Sequence, residues 1–223
     1  MKLILALFLT SLMAFAQGPP RGTVQASGTA SVSVRPDQAT INVSVITQGA
    51  TAQDAASQNA TIATNVQSQL AQALGSSGTV KTVSYSVNPN YTYGKDGTAT
   101  LTGYTVNNSI QVTLNDLSIT GKIIDTATQS GASRVDSLQF PLKDDTDARS
   151  QALRAATLRA KSKAEAMAAS VGLKIGTFLV IQESGAVVQT IDRTPTAGAT
   201  ATPIQPGQLN VTGNVSISME LLQ

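Results

Sequence analysis

The stretch VQASGTASVSVRPDQATINVSV, residues 24–45, decides the fold. In it Val24, Ala26, Gly28, Ala30, Val32 and Val34 recur at every second position, the period at which a strand sends alternate side chains to opposite faces. After Arg35-Pro36-Asp37 the alternation resumes with Ala39, Ile41, Val43 and Val45. Pro36 presets a turn dihedral and Asp37 can bond back to the local backbone, so the stretch predicts two strands joined as a hairpin.

C-terminal to this stretch the period changes. From Thr51 to Leu74 the residues Ala55, Asn59, Ile62, Val66, Leu70 and Leu74 form a helical stripe. Thr51 and Asp54 have the spacing of a capping box with Asp in place of Glu, and Gly75 is a natural stop. A second hairpin follows: Val83, Tyr85, Val87, Tyr91 and Tyr93 before a Gly94-Lys95-Asp96-Gly97 turn, then Tyr104, Val106, Ile110, Val112 and Leu114. Asn115 or Asp116 caps a short helix through Ile123, Ile124 and Ala127 that ends at Gly131, and a strand then runs to Phe140. The Asp144-Asp145-Thr146-Asp147 cluster opens a second long helix, rich in alanine, that stops at Gly172. Leu173 to Ile181 is a compact apolar strand, and residues 185–207 drift into Thr, Ala, Gly, Pro and Gln and are expected to form an exposed loop. Leu209, Val211, Val215, Ile217, Met219 and Leu221 mark a final strand. The expectation is an α+β fold in which two β-hairpins and further strands pack with two long amphipathic helices and one short helix, as a single domain over 24–223.

Toward the N-terminus, Lys2, the apolar run Leu3 to Met13 and the site Ala14-Phe15-Ala16 have the build of a secretory signal peptide over 1–16, cleaved before Gln17, with a flexible tail at 17–23. The expected location is periplasmic or secreted. The apolar run is too short to span a bilayer and no later stretch is long enough, which leaves peripheral membrane association open. An outer-membrane barrel is rejected because its wall has no place for helices over 51–74 and 144–171.

The chain contains no His, Cys or Trp. A Ser-His-Asp triad, thiol chemistry and disulfides are thereby excluded, and the glutamates, at 165, 183 and 220, sit in no recognisable glycosidase context. No enzyme activity and no cofactor are expected. The 15 basic and 13 acidic residues come within one charge of balance once Lys2 leaves, and aromatic content is 4%, a poor match to a nucleic-acid binder. Asp144, Asp145 and Asp147 lack the spaced loop and distal Glu of a calcium site and are assigned to a dipole-matched helix start; no metal ligands are assigned. Arg149, Arg154, Arg159, Lys161 and Lys163 do not fall in one stripe and form a solvated face, with Lys161 and Glu165 at i,i+4 spacing. All four tyrosines, Tyr85, Tyr91, Tyr93 and Tyr104, lie on one predicted hairpin. Cross-strand packing is one reason for that placement and an oligomer interface is the other.

The pieces Ala26-Ser27-Gly28-Thr29-Ala30 with Arg35-Pro36-Asp37-Gln38-Ala39, Pro89-Asn90-Tyr91-Thr92-Tyr93 with Gly103-Tyr104-Thr105-Val106, Gly121-Lys122-Ile123-Ile124-Asp125 with Gly131-Ala132, the alanine-rich helix, and Pro206-Gly207-Gln208-Leu209 follow one another in an order that resembles the SIMPL family, the domain of unknown function 541. The resemblance runs from about Val24 to Leu222. Two positions depart from the family pattern, Gln208 where Glu is frequent and Ala30 where Gly is frequent. The resemblance implies an exported bacterial protein without established enzyme activity, tied in some relatives to tolerance of oxidative stress and in one to a ring-like, channel-shaped oligomer. The functional expectation is self-assembly into a homo-oligomer and binding of an envelope protein partner; the alternative is a small-ligand or divalent-metal module that uses the acidic cluster or a cleft beside the helices.

Overall fold

The computed structural model describes residues 22–191, 204 and 206–223. Residues 1–16 of the expected signal peptide and 17–21 of the expected tail lie outside them, as do 192–203 and 205 of the expected loop. Among the described residues, seven strands and three α-helices follow in the order β1 (Thr23–Val34), β2 (Ala39–Gly49), α1 (Ala52–Leu74), β3 (Gly78–Tyr93), β4 (Ala99–Leu114), α2 (Thr120–Gln129), β5 (Arg134–Gln139), α3 (Thr146–Ser170), β6 (Lys174–Ile191) and β7 (Gln208–Leu222). The class is α+β, as the alternating and helical periods require.

The strands form two antiparallel sheets, β1-β7-β6 and β3-β4-β2-β5. The expected hairpin across Pro36 is therefore not formed. β1 pairs along its whole length with β7, from Thr23 opposite Glu220 to Val34 opposite Leu209, while β2 pairs with β4 from Ala39 opposite Leu114. Alternation specifies that a strand has a buried face but not which strand lies beside it, and a short connection serves a crossover as well as a turn. Asp37 does not bond back into a local turn; its Oδ1 accepts the Lys143 N–H at 2.7 Å, which ties the 35–38 crossing to the connection between β5 and α3.

Each sheet has its own core. Ala39, Ile41, Val43 and Val45 of β2 and Ile110, Val112 and Leu114 of β4 are buried beneath Ala63, Val66, Leu70 and Leu74 of α1 and Ile123 and Ala127 of α2. α1 begins as its spacing predicts, with Thr51 Oγ1 accepting the Asp54 N–H at 3.1 Å and donating to its carboxylate at 2.7 Å. Asn59, fully buried, donates to the Val45 carbonyl at 2.9 Å and pins the helix to the sheet.

The second core is built differently. α3 buries Ala148, Ala152, Ala156, Ala160, Ala164 and Ala168, every fourth residue, against Val24, Ala30, Val211, Val215, Ile217 and Met219 of β1 and β7. Where the helix crosses, the strands carry Gly28 and Gly213. A Cβ on Gly28 would lie 2.0 Å from the Ala156 carbonyl oxygen, so helix backbone rests on strand backbone there.

β6 also corrects an expectation. The exposed loop expected from residue 185 is not found over 185–191, because the strand continues to Ile191, with Val187 opposite Thr212 and Ile191 opposite Gln208. Gly185, at φ 92°, sits in an irregularity of the ladder between Glu183 and Ala186 and not at a strand end. Glycine there supplies the positive φ of a bulge within the strand.

Candidate functional site

β2 runs out at Gly49, opposite Tyr104. Before Tyr104, β4 has, among the described residues, only β3 as a neighbouring strand, and β3 is itself an edge strand. Residues 89–103 thus form a two-stranded ribbon standing clear of the four-stranded sheet. Its end is closed by Gly94 N–H to the Thr98 carbonyl at 2.9 Å and by Asp96, which accepts from the Thr98 N–H at 3.1 Å and the Thr98 hydroxyl at 2.7 Å. The hydroxyl and then the backbone N–H of Thr98 hold the Asp96 carboxyl below its ordinary pKa. Farther down, Asn90 Nδ2 donates to Thr105 Oγ1 at 2.8 Å and Thr102 Oγ1 donates to the Asn90 carbonyl at 3.0 Å. Such cross-strand bonds set the ribbon's shape before any contact is made.

The tyrosines fall into two sets. Tyr91 and Tyr93 lie on the ribbon, opposite Leu101 and Ala99, with Tyr93 70% exposed. Tyr85 lies over the body of the sheet opposite Asn108, and Tyr104 is half-buried at the ribbon's base, opposite both Pro89 and Gly49. The single alternating face read through Val83 to Tyr93 is broken by register shifts at Thr82/Ser84 and Asn90/Tyr91. Sequence reading missed that Leu101 and Val87 are exposed with the tyrosines. It also missed a second apolar edge: Phe178, Leu179, Val180 and Ile181 of β6 are all exposed. The absence of a polar alternation at 178–181 was the available signal; it marks a compact apolar strand, but without the sheet order it does not tell an exposed edge from a buried one.

The other candidates are engaged structurally. Asp144 accepts the Thr146 N–H at 2.9 Å and Asp145 pairs with Arg149 at 2.6 Å, at the start of α3. The Thr146 hydroxyl and then its N–H hold the Asp144 carboxyl low. Among the described residues no group of three or more Asp, Glu, His or Cys is placed to hold a metal ion. On α3, Lys161 lies 3.6 Å from Glu165, while Arg159 donates to the Thr29 carbonyl at 2.8 Å and Lys163 to the Ser27 carbonyl at 2.9 Å. Two basic side chains thereby occupy carbonyls of the β1 edge, a protection against further pairing that β3 and β6 do not receive in the described residues. Beside the helices, Asn65 and Gln69 of α1 and Thr126 and Gln129 of α2, with Ser130, line a cleft of about 210 Å³ that Asn65 partly bridges by donating to the Ser130 carbonyl. Among the described residues no helix is long and apolar enough to cross a membrane.

The "26 kDa periplasmic immunogenic protein" of Brucella melitensis biotype 1 is 28% identical over 181 residues, 78% of this chain and 72% of the relative. Its counterpart in Brucella abortus strain S19 matches to the same extent. The "Uncharacterized protein YggE" of Edwardsiella ictaluri is 30% identical over 165 residues, 72% of this chain and 67% of the relative. The family model SIMPL, described as a protein of unknown function (DUF541), matches residues 24–219, well over half of the sequence, and the chain belongs to the SIMPL family.

Proposed function

We propose that this is an exported, non-enzymatic protein that assembles with copies of itself through the tyrosine ribbon and, so assembled, binds envelope partners under envelope or oxidative stress. The observation that carries the reading is the ribbon at 89–103, which leaves its parent sheet with Tyr91, Tyr93 and Leu101 exposed. An isolated two-stranded ribbon is marginal in water, and exposed aromatic residues on it gain most from a partner surface. Tyrosine supplies contact area with a polar tip at low entropy cost. From Thr82 to Gly94 no charged residue guards the strand, although Pro89 lacks an N–H and interrupts backbone pairing, so side chains carry the contact. Export is supported by the leader-like N-terminus and by the two relatives named periplasmic; a non-enzymatic role is supported by the lack of His and Cys.

The test replaces Tyr91 and Tyr93 together by Ser. Sedimentation should report a smaller assembly while circular dichroism and the cooperativity of melting stay as in the parent protein. Unchanged sedimentation of a folded variant would remove the ribbon from the interface, and loss of folding would make both tyrosines structural.

A further inference from the structure

We infer that the face of the β1-β7-β6 sheet turned away from α3 carries a binding groove for a neutral saccharide. This face is polar along β1 and along β7 as far as Glu220, with the exposed Leu222 at the strand's end, and its inner rows divide in two. Toward Val34 the side chains satisfy one another: Thr29 Oγ1 donates to Asn214 Oδ1 at 2.8 Å, the Ser31 and Thr212 hydroxyls lie 2.8 Å apart, and Ser33 Oγ donates to Gln208 Oε1 at 2.9 Å. Toward the other end the rows are Gln25, Ser218 and Val180, then Ser27, Ser216 and Gln182. Among the described residues, the side chains of Gln25, Ser27, Gln182, Ser216 and Ser218 pair neither with one another nor with any neighbour. These five and Val180 line a concavity of about 390 Å³, floored by the strands at Ala26 and Ile217. It lies where β6 is irregular, between the register shifts at Phe178/Val180 and Glu183/Ala186, and shifts of this kind bend a strand.

The chemistry of the lining selects the ligand. Hydroxyls and carboxamides each donate and accept and carry no charge, and no ionisable side chain lines the groove, so an ion would find no counter-charge. Vicinal sugar hydroxyls match a lining whose every polar group is both donor and acceptor, and Val180, 54% exposed, offers an apolar wall for the C–H face of a pyranose ring. The volume falls in the range of about 300–1,000 Å³ typical of small-molecule sites and suits a mono- or disaccharide. The groove is on the sheet under α3, whereas the ribbon extends from the other sheet, so the two assignments stand or fall separately.

Saturation-transfer NMR on the whole mature protein tests this with maltose and N,N′-diacetylchitobiose, using glucuronate and tri-alanine as charged and peptide comparators. A saturable signal from at least one of the two disaccharides is expected, weakened about tenfold or more in the Ser216→Val/Gln182→Ala variant, which loses hydrogen bonds on two strands. Ser31→Val, in the self-paired rows, should leave it unchanged. No saturable signal from either disaccharide, tighter binding of glucuronate or tri-alanine, or equal loss in Ser31→Val would overturn the assignment. Should the double variant melt early, Gln25→Ala, at an exposed position, reads the same loss without touching β6 or β7.

Discussion

At the scale of single residues, Gly28 determines how closely the second core can pack. With 2.0 Å between a would-be Cβ and the Ala156 carbonyl oxygen, and 2.6 Å to the Ala160 nitrogen, Gly28→Ala must push α3 off the sheet along the whole alanine stripe. The expected cost is about 2–3 kcal/mol, read as a lower midpoint in urea denaturation; an unchanged midpoint would mean that the helix does not rest on the strand backbone. Titration behaviour also follows from single residues. Asp96, Asp116 and Asp144 are held below the ordinary carboxyl pKa by the hydroxyl and N–H of Thr98, Ser118 and Thr146 respectively. A depressed folded pKa contributes stability above the unfolded value and loses it as pH falls through the folded one. With no histidine in the chain, the melting temperature should stay flat between about pH 5.5 and 8.5 and decline below about pH 4. A step near pH 6.5 would contradict this assignment.

At the scale of elements, most of what local period and capping encode was legible. The helix from Thr51 to Leu74, the tyrosine hairpin and the alanine helix were readable because each carries its own caps or turn residues. Strand partners were not readable. Val24 to Val34 alternates as cleanly against β7, some 180 residues away, as it would against the neighbouring β2, and nothing in the alternation chooses between them. The same limit hid the candidate site's geometry: that the tyrosines lie on one hairpin was plain, but that β2 stops at Gly49 and releases the ribbon depends on sheet order. β6 offers a check of the corrected boundary. Hydrogen exchange over 187–191 should be slowed at the amides that pair with β7, and limited proteolysis should not cut first at Gly185; rapid exchange throughout 187–191 would restore the loop.

At the scale of the molecule, the chain is threaded as an insertion. The sheet β3-β4-β2-β5 with α1 and α2 lies wholly within residues 39–139, between β1 and the remainder of its own sheet. Its core draws on no residue of β1, β6 or β7, nor on α3. The segment 38–140 expressed alone should therefore fold and melt cooperatively; a chain without tertiary structure would mean that the Asp37–Lys143 stitch and the second sheet are needed to complete it. Self-assembly through the tyrosine ribbon is the proposed function, and the mass of the particle tests it most directly. Light scattering on the protein without residues 1–16, at micromolar concentration, should give a multiple of the subunit mass, which is 22.9 kDa for the full chain. A mass corresponding to one subunit would contradict it.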